Sequence, residues 1–360
     1  MVAVADSVRI GIIGSGGIAG AHAGAYKRMS DVEIVAVADV VPGKAAEFVQ
    51  RHGLPAARAF DDHRALLELD LDGVSVCTPN VAHHRTSVDA LRAGKHVLCE
   101  KPMAVTLEQA VEMARAAKES GKILTIGFQP RYDPNMRMVR SVVQSGQLGR
   151  VYYVETGGGR RRGAPGGTFI RKDLAGSGAI ADIGCYALDM ALHALDYPRP
   201  LTVSAYSSNY FGTNPKYHRE ADRFEVEDFG IALVRLEGGA VLNFKVSWAM
   251  HMDSLGNTLF LGTDAGLKVL PSGGAWDGTV GGVTLYHDVL GMHTESPLPL
   301  RPRGNLDIFY EKVRDFVVAV KEGRPAPIPG ETIVRNQAVI DGILRSAATG
   351  HEVDIDIPAI

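Results

Sequence analysis

The stretch IGIIGSGGIAG, residues 10–20, joins a short apolar run to a cluster of glycines. Gly14, Gly16 and Ala19 occupy the three positions of a G-x-G-x-x-G/A fingerprint, directly after a predicted strand and at the predicted start of a helix. In such a turn the first glycine permits a tight bend, the second lets the backbone approach a pyrophosphate, and the helix N-terminus supplies N–H donors. The stretch therefore predicts a dinucleotide site at the first strand-to-helix turn.

The second predicted strand, VEIVAVA, ends next to an acidic residue, Asp39. A carboxylate at this position can accept hydrogen bonds from the hydroxyls of the adenosine ribose. Because Val40 and Val41 follow, and not a basic residue, the sequence favours NAD over NADP. Lys44 and Arg64 could approach a 2'-phosphate, so NADP stays open.

Apolar runs and helix-length amphipathic segments alternate up to about residue 127. Alternating strands and helices predict right-handed crossovers and a parallel sheet that is covered on both faces. The predicted helices begin near Gly17, Pro42, Asp61, Asn80 and Thr106. The predicted strands are VRIGII, VEIVAVA, GVSVC, HVLCE and KILTIGF.

From about residue 150 the pattern changes to longer alternating runs: RVYYVETG, LTVSAYSSNYF, DFGIALVRLEGGAVLNFKVSW and NTLFLGTDAGLKVL. EGGA predicts a tight hairpin, so we expect a mainly antiparallel sheet. One helix, AIADIGCYALDMALHAL, interrupts these strands, and two more predicted helices close the chain. The fold class is therefore α/β, with a dinucleotide-binding domain over residues 1–128 and a second α/β domain, built on a large open sheet, over residues 129–360.

Composition limits the classes of partner. The chain has 360 residues, of which 46% are hydrophobic and 22% charged, and a formal net charge of -3. Without a long basic block or a membrane-length apolar stretch, we expect neither nucleic acid nor a membrane as partner. Cys77, Cys99 and Cys185 are widely spaced and odd in number, which favours free thiols and a cytoplasmic location.

A second chemical signal lies at the ends of the predicted strands GVSVC and HVLCE. VCTPNVAHH places Asn80 after the first of these two strands, and CEKP places Glu100 and Lys101 after the second. A lone lysine after a strand is usually a solvated charge. Here Lys101 shares the carboxyl edge of the sheet with Gly14 and Asn80, and this edge is where such sheets bind ligands.

The chain resembles the Gfo/Idh/MocA family, named for glucose-fructose oxidoreductase and inositol 2-dehydrogenase. The resemblance covers nearly the whole length, and its motifs occur in the family's order: GIIGSGGIAGAH, VCTPNVAHH, AGKHVLCEKPMA, GFQPRYDP, GSGAIADIGCYALDMALHALDYP and LFLGTDAGLKV. It implies a Rossmann domain followed by a domain whose open sheet often mediates oligomers. It also implies that Lys101 touches both the nicotinamide ribose and the substrate, and that the Lys101–Pro102 bond is commonly cis.

DIGCY carries the third signal, because Asp182 and Tyr186 are four residues apart and share a face if the segment is helical. Much of the family has histidine at the position of Tyr186, as general base. Tyrosine also occurs, in branches that resemble glucose-fructose oxidoreductase and dihydrodiol dehydrogenase. A phenol has a pKa of roughly 10, so it needs a nearby ammonium such as Lys101 to act as a base. The alternative is that Tyr186 packs in the apolar face, as we expect for His193.

Basic residues near this segment are candidates for binding the substrate. Arg160, Arg161 and Arg162 lie in a glycine-rich loop and are interpreted mainly as solvated. The resemblance implies that Lys172 lies near the position that contacts substrate in the family. Arg131 is also assigned to the substrate, together with Lys101, Asp182 and Tyr186. His83, His84, His218 and His251 lack metal-ligand spacing, so no metal is expected. Cofactor binding is assigned to Gly14, Gly16, Gly17, Ile18, Asp39, Thr78, Pro79, Asn80, His83, Glu100, Lys101 and Gln129.

These residues predict an NAD(P)-dependent oxidoreductase. The expected reaction interconverts a secondary alcohol and a ketone, or a lactol and a lactone, of a sugar, inositol or related polyol, with Lys101, Asp182 and Tyr186 as catalytic residues. One alternative is an NAD-dependent glycoside hydrolase of the same family. Another is a dinucleotide sensor without catalysis. The expected assembly is a homodimer or homotetramer.

Overall fold

The computed structural model describes residues 7–271 and 280–360, which form two compact units. The first unit contains the described residues through Gln129, and also Leu306–Val334 and Pro358–Ile360. The second contains Pro130–Asn305 and Arg335–Ile357. The chain thus passes into the second unit one residue after the predicted division at 128, but it later returns to the first.

The first unit is built on a parallel sheet. In the described chain this sheet has six strands in the order β3-β2-β1-β4-β5-β6. The strands are β1 (Val8–Ile13), β2 (Val32–Ala38), β3 (Arg58–Phe60), β4 (Gly73–Val76), β5 (His96–Cys99) and β6 (Leu124–Ile126). All except β3 match predicted strands; β3 is three residues long and lacks a fully buried residue, so it gives no clear apolar signal.

Helices connect these strands and cover the sheet: α1 (Gly17–Tyr26), α2 (Lys44–Arg51), α3 (His63–Leu67), α4 (Asn80–Arg92) and α5 (Leu107–Ser120). Local sequence chemistry explains their ends. Thr106 caps α5 by accepting a hydrogen bond from the Gln109 N–H, and Gly121 ends it in the left-handed region at φ 65°. Ile10 and Ile12 of β1 are fully buried between the layers. The predicted doubly covered parallel sheet is confirmed.

The second unit contains a mixed sheet, with nine strands in the described chain in the order β14-β13-β12-β11-β7-β10-β9-β8-β15. Its strands are β7 (Val151–Gly159), β8 (Pro200–Ser208), β9 (Phe229–Leu236), β10 (Val241–Ser247), β11 (Thr258–Gly262), β12 (Ala265–Pro271), β13 (Val280–Val289), β14 (Met292–Leu298) and β15 (Val353–Asp354). β7 and β10 are parallel and the other neighbours are antiparallel. The α/β fold class with a mainly antiparallel second sheet is therefore confirmed.

The predicted hairpin joins β9 to β10, with Gly238 and Gly239 at φ 83° and 88° in the left-handed region that glycine favours. Side chains alternate along β9: Ala232 and Val234 are buried, whereas Leu233 is exposed. The buried face of the sheet packs against α8 (Ala179–Asp182) and α9 (Gly184–Ala194). Helix α6 (Pro134–Gln144) packs against α9 and β13, and the short helix α7 (Lys172–Ala175) precedes α8.

Helix α10 (Ile308–Glu322) brings the chain back to the first unit. Its Val313, Phe316 and Val317 are fully buried in the core cluster that includes β1 and α1. Helix α11 (Gly330–Thr349) then leads into the last strand. Among the residues that the structure describes, no helix has the length and apolar character needed to cross a bilayer.

Candidate active site

The glycine-rich turn lies between β1 and α1. Gly14 has φ 92°, and a Cβ there would lie 2.5 Å from the Cys77 carbonyl oxygen, so only glycine fits. At Gly16 and Gly17, by contrast, a Cβ would meet no atom within 4 Å. The N-cap residue of α1 is Gly16, whose missing side chain leaves this end without a side-chain cap. The turn therefore offers open space beside backbone N–H donors, as a pyrophosphate requires.

Asp39 follows β2 and faces the same turn. Its Oδ2 accepts hydrogen bonds from the backbone N–H of Ser15 at 2.9 Å and from the Ser15 hydroxyl at 2.6 Å. Its Oδ1 accepts from the Val41 N–H at 3.0 Å, and the Lys44 ammonium lies 3.5 Å from Oδ2. Burial opposes ionisation, but these hydrogen bonds outweigh it and hold the pKa of Asp39 below its usual value. The carboxylate is therefore ionised and fixed at the edge of the turn.

Asp39 also lines a pocket at the carboxyl edge of the parallel sheet. The buried Thr78 hydroxyl in this lining has no hydrogen-bond partner among the described residues. An apolar slot with a fixed carboxylate and an unused hydroxyl fits an adenosine group, so these residues fit NAD. The lining residues are Ile13, Gly14, Ala38, Asp39, Val40, His63, Thr78, Pro79, Ala82 and Thr86.

Asp39→Ala should reduce the preference for NAD over NADP by about tenfold or more, because it removes the ribose acceptor and the charge that repels a 2'-phosphate. Titration of both cofactors, followed by protein fluorescence, measures the ratio of dissociation constants. Asp61→Ala, at a neighbouring strand end, is the control and should leave the ratio unchanged. Equal or tighter binding of NADP by the wild type would contradict the assignment.

Lys101 lies two residues after the end of β5 and is half-buried. The Lys101–Pro102 peptide bond is cis, as the resemblance implied. His83 links this turn to the end of β4, since its ring nitrogens lie 2.7 Å from the Pro102 carbonyl oxygen and 3.0 Å from that of Thr78. The structure therefore brings together Thr78, His83 and Lys101, but it gives His83 a bridging role between loops. Asn80 begins α4 beside them.

Glu100, which was assigned to the cofactor, points into a buried network. It forms an ion pair with Lys312 of α10 and accepts a hydrogen bond from Nε2 of His22 at 2.7 Å. Burial would raise the pKa of Glu100, but the Lys312 ammonium and His22 hold it well below its usual value. The carboxylate is therefore engaged in hydrogen bonds inside the first unit, and its assignment to the cofactor stays a prediction.

The network continues from His22, which lies in α1, to Ser75 of β4 and Tyr26 of α1. Burial and the Lys312 charge lower the pKa of His22, so its ring is neutral. Because ionised Glu100 can only accept, Nε2 carries the proton, and Nδ1 accepts from the Ser75 hydroxyl at 2.9 Å. Ser75 accepts in turn from the Tyr26 hydroxyl at 2.7 Å. Every hydroxyl and ring nitrogen in this hydrogen-bond network has a partner, so the strand end before Lys101 is rigidly held.

In the second unit, Asp182 is the last residue of α8 and Tyr186 lies in the first turn of α9. The predicted single helix is thus divided at Ile183. The Asp182 Oδ2 accepts a hydrogen bond at 3.0 Å from the indole of Trp248, which is fully buried beyond the end of β10. Tyr186 is buried. Trp248 therefore fixes the orientation of the Asp182 carboxylate, a role that the sequence analysis missed.

Glu227 holds the beginning of the same short helix. Its Oε1 accepts from the N–H groups of Gly178 at 2.8 Å and Ile180 at 3.1 Å. Burial raises the pKa of Glu227 to about 7, although these hydrogen bonds act in the opposite direction. The two ends of α8 are thus held by hydrogen bonds to the side chains of Glu227 and Trp248, which fix the position of Asp182.

Arg131, which was assigned to the substrate, forms hydrogen bonds with residues of the second unit. Its guanidinium donates to both carboxylate oxygens of Asp189, at 2.9 and 2.7 Å, and to the Tyr197 hydroxyl at 2.6 Å. The Asp189 carboxylate holds the pKa of Arg131 above its usual value, although burial acts against this. Arg131 anchors the 3-10 helix Gln129–Tyr132 to α9, and its assignment to the substrate stays a prediction. Burial and then Arg131 lower the pKa of His193 to about 4, so its ring is neutral at neutral pH.

Lys172 lies at the start of α7, where its N–H donates to Glu225 at 2.9 Å. It borders a cavity of about 330 Å³ that is lined by both Glu225 and Glu227. Asp182 and Tyr186 are not in that lining, so the structure does not bring Lys172 together with them there.

The three consecutive arginines have different environments. Arg161 is exposed, as predicted. Arg162 stacks over the rings of Phe211 and Tyr217 and donates to the Met250 carbonyl at 2.6 Å. Arg160 is half-buried beside the end of β10. The run RRR carried no signal that could separate these positions, because the difference depends on contacts with distant segments.

The parallel sheet, its glycine turn and the carboxylate at the second strand define a dinucleotide-binding protein. The chain belongs to the Gfo/Idh/MocA family, as the resemblance indicated. The model of the oxidoreductase family with an NAD-binding Rossmann fold matches residues 8–128, and the model of the family's C-terminal domain matches residues 136–268.

Individual relatives agree with this membership. The D-glucoside 3-dehydrogenase of Escherichia coli (strain K12) is 36% identical over 274 residues, which cover 74% of this chain and 78% of that protein. The myo-inositol 2-dehydrogenase of Thermotoga maritima is 25% identical over 326 residues, or 90% of this chain and 91% of that protein. The structure of a levoglucosan dehydrogenase in complex with NADH and levoglucosan has the same fold, with a TM-score of 0.81, 23% identity, and coverage of 97% of this chain and 99% of that chain.

Proposed function

We propose that the protein is an NAD-dependent dehydrogenase that interconverts a secondary alcohol and a ketone, or a lactol and a lactone, of a sugar, inositol or related polyol. The observation that carries the proposal is the shared sheet edge of the first unit, where the Gly14 turn, Asp39 and Lys101 follow the carboxyl ends of β1, β2 and β5. Family membership and relatives named as D-glucoside and inositol dehydrogenases support the substrate class.

When bound, the nicotinamide ring supplies the hydride acceptor at its C4. Lys101 holds the reacting oxygen through its ammonium group and stabilises the negative charge that develops there. Tyr186 accepts the hydroxyl proton during oxidation and returns it during reduction. Asp182, oriented by Trp248, fixes the substrate through a hydroxyl group.

Two separate assays test the proposal, one for NADH formation and one for glycoside cleavage. The protein is incubated with NAD and a panel containing methyl β-D-glucopyranoside, myo-inositol and levoglucosan, and NADH is followed by its absorbance. We expect NADH and the ketone that corresponds to the oxidised alcohol to form in equal amounts. Cleavage of a nitrophenyl glycoside without net NADH would identify the hydrolase alternative. Tight NAD binding without turnover of any polyol would identify the sensor.

We also propose a homodimer or homotetramer formed through the open sheet. Tyr206 pairs with Ile231 across β8 and β9, and both side chains are exposed together with Leu233. An apolar strip of this kind on a sheet face is stabilised by cover from a second copy. Light scattering should give twice or four times the mass of the chain, and a stable monomer at micromolar concentration would contradict the proposal.

We propose a cytoplasmic location on the basis of the cysteine residues. Cys77, Cys99 and Cys185 are all buried and free, which suits a reducing compartment. Fractionation of cells that express the protein tests this, and recovery outside the cytoplasmic fraction would overturn it.

A further inference from the structure

Arg160 follows the last residue of β7 and is held beside the end of β10. Its backbone N–H donates to the Ser247 carbonyl at 3.0 Å, and its Nη1 donates to the Gly163 carbonyl at 3.2 Å. A Cβ at Gly163 would lie 2.6 Å from the Arg160 Cδ, so the glycine makes room for the arginine side chain. The side chain is therefore placed by the fold and is not a solvated loop residue.

The same strand end carries the partner of Asp182. Trp248 follows Ser247 directly, and its indole N–H donates to Asp182 Oδ2 at 3.0 Å. Burial lowers the pKa of Arg160, while the Asp182 carboxylate acts to raise it. Two ionisable groups shift each other's pKa in this way when their charges lie close together. The ends of β7 and β10 thus bring a guanidinium and the Asp182 carboxylate into one neighbourhood of the second unit.

One donor in this neighbourhood is unused. The Nε–H of Arg160 is buried and has no acceptor among the described residues. Buried N–H groups are almost always paired, so an unpaired one is a candidate donor to an acceptor from outside the chain. A sugar hydroxyl both donates and accepts hydrogen bonds, and proteins recognise it with an acceptor and a donor placed close together.

We propose that Arg160 and Asp182 recognise two neighbouring hydroxyls of the substrate. Asp182 accepts a hydrogen bond from one hydroxyl, and the Arg160 Nε–H donates to the oxygen of the next. The substrate class is therefore a sugar or cyclitol with a vicinal diol that includes the carbon next to the one oxidised. This inference rests on the proposed function and assigns Arg160 a role in substrate specificity.

The test compares a substrate with its deoxy analogues in four proteins: wild type, Arg160→Gln, Arg160→Lys and Arg161→Gln. The substrate is whichever of methyl β-D-glucopyranoside and myo-inositol the wild type oxidises, and the analogues each lack one hydroxyl beside the reacting carbon. We expect the wild type to disfavour one analogue by about tenfold or more in kcat/KM. Arg160→Gln should reduce kcat/KM for the parent by about tenfold or more and bring the analogue to within about threefold of it.

Arg160→Lys keeps the charge without the Nε–H, so it should lose the same discrimination and also serves if the glutamine variant does not fold. Arg161→Gln alters the exposed neighbour and should behave as wild type. NAD affinity should be unchanged in all variants. Undiminished discrimination in both Arg160 variants would overturn this inference and leave the proposed function standing. An Arg160-dependent preference for a glucuronide over the glucoside would also overturn it, since the arginine would then bind a carboxylate. Failure of the wild type to oxidise any polyol would overturn the proposed function itself.

Discussion

Lys101→Ala should lower kcat/KM for the polyol substrate by about a hundredfold or more, whereas the affinity for NAD changes far less. The loss falls on the chemical step because the ammonium is needed where negative charge develops on the reacting oxygen. The turn at Gly14 and the Asp39 carboxylate remain in place and still bind the cofactor. Steady-state kinetics and NAD titration together separate the two effects.

Lys95→Ala is a matched control, because Lys95 lies at the opposite end of β5 and donates to the Leu69 carbonyl at 3.0 Å. It should retain nearly full activity. Tyr186→Phe should give a defect comparable to that of Lys101→Ala. If both residues serve one proton transfer, the double variant should be little worse than either single variant. Unaltered turnover in a Lys101 variant would show that this lysine is a solvated charge at the end of a strand and takes no part in catalysis.

Lys312→Met should reduce the free energy of unfolding by roughly 3–5 kcal/mol, because it leaves the Glu100 carboxylate buried without its charged partner. The side chains of Lys312 and Glu100 are only 1% and 6% exposed, so water cannot replace the lost interaction. Methionine keeps much of the volume, which separates the loss of charge from the creation of a cavity. Urea unfolding followed by circular dichroism measures the change.

Lys321 supplies the control on the same helix. It forms an ion pair with Asp31 at the surface, and Lys321→Met should cost less than about 1 kcal/mol. Combining Lys312→Met with Glu100→Gln removes both buried charges, and we expect the double variant to be more stable than the sum of the single losses predicts. Equal effects of Lys312→Met and Lys321→Met would show that the buried pair contributes no more than a surface one.

Features encoded over short stretches of sequence were predictable. The glycine turn at Gly14 and the acid at Asp39 follow from local backbone geometry and strand spacing, and the hairpin at Gly238 follows from turn chemistry. Strand alternation in the second half also predicted the mainly antiparallel sheet. Short edge elements such as β3 were missed because so few residues give no periodicity.

Features that depend on contacts between distant segments were not predictable. Glu100 looked like a ligand-facing residue because its partner, Lys312, comes from the other end of the chain. Arg131 was interpreted from the sequence as a substrate-binding cation, because its hydrogen-bond acceptors, Asp189 and Tyr197, lie 58 and 66 residues further along the chain. Arg160 could not be distinguished from Arg161, since its burial depends on a strand end about ninety residues away.

Helix α10 makes the cofactor-binding unit discontinuous, and this affects how the protein can be made. During synthesis the ribosome releases the glycine turn and strands β1 to β6 first, but Lys312 emerges only after strands β7 to β14 of the second sheet. Until then the nascent unit carries Glu100 and the apolar surface beneath α10 without their partners. Folding from the N-terminus therefore cannot finish the first unit early. A fragment that ends at Gln129 should accumulate as an aggregation-prone species unless α10 is supplied, for example through a short engineered linker.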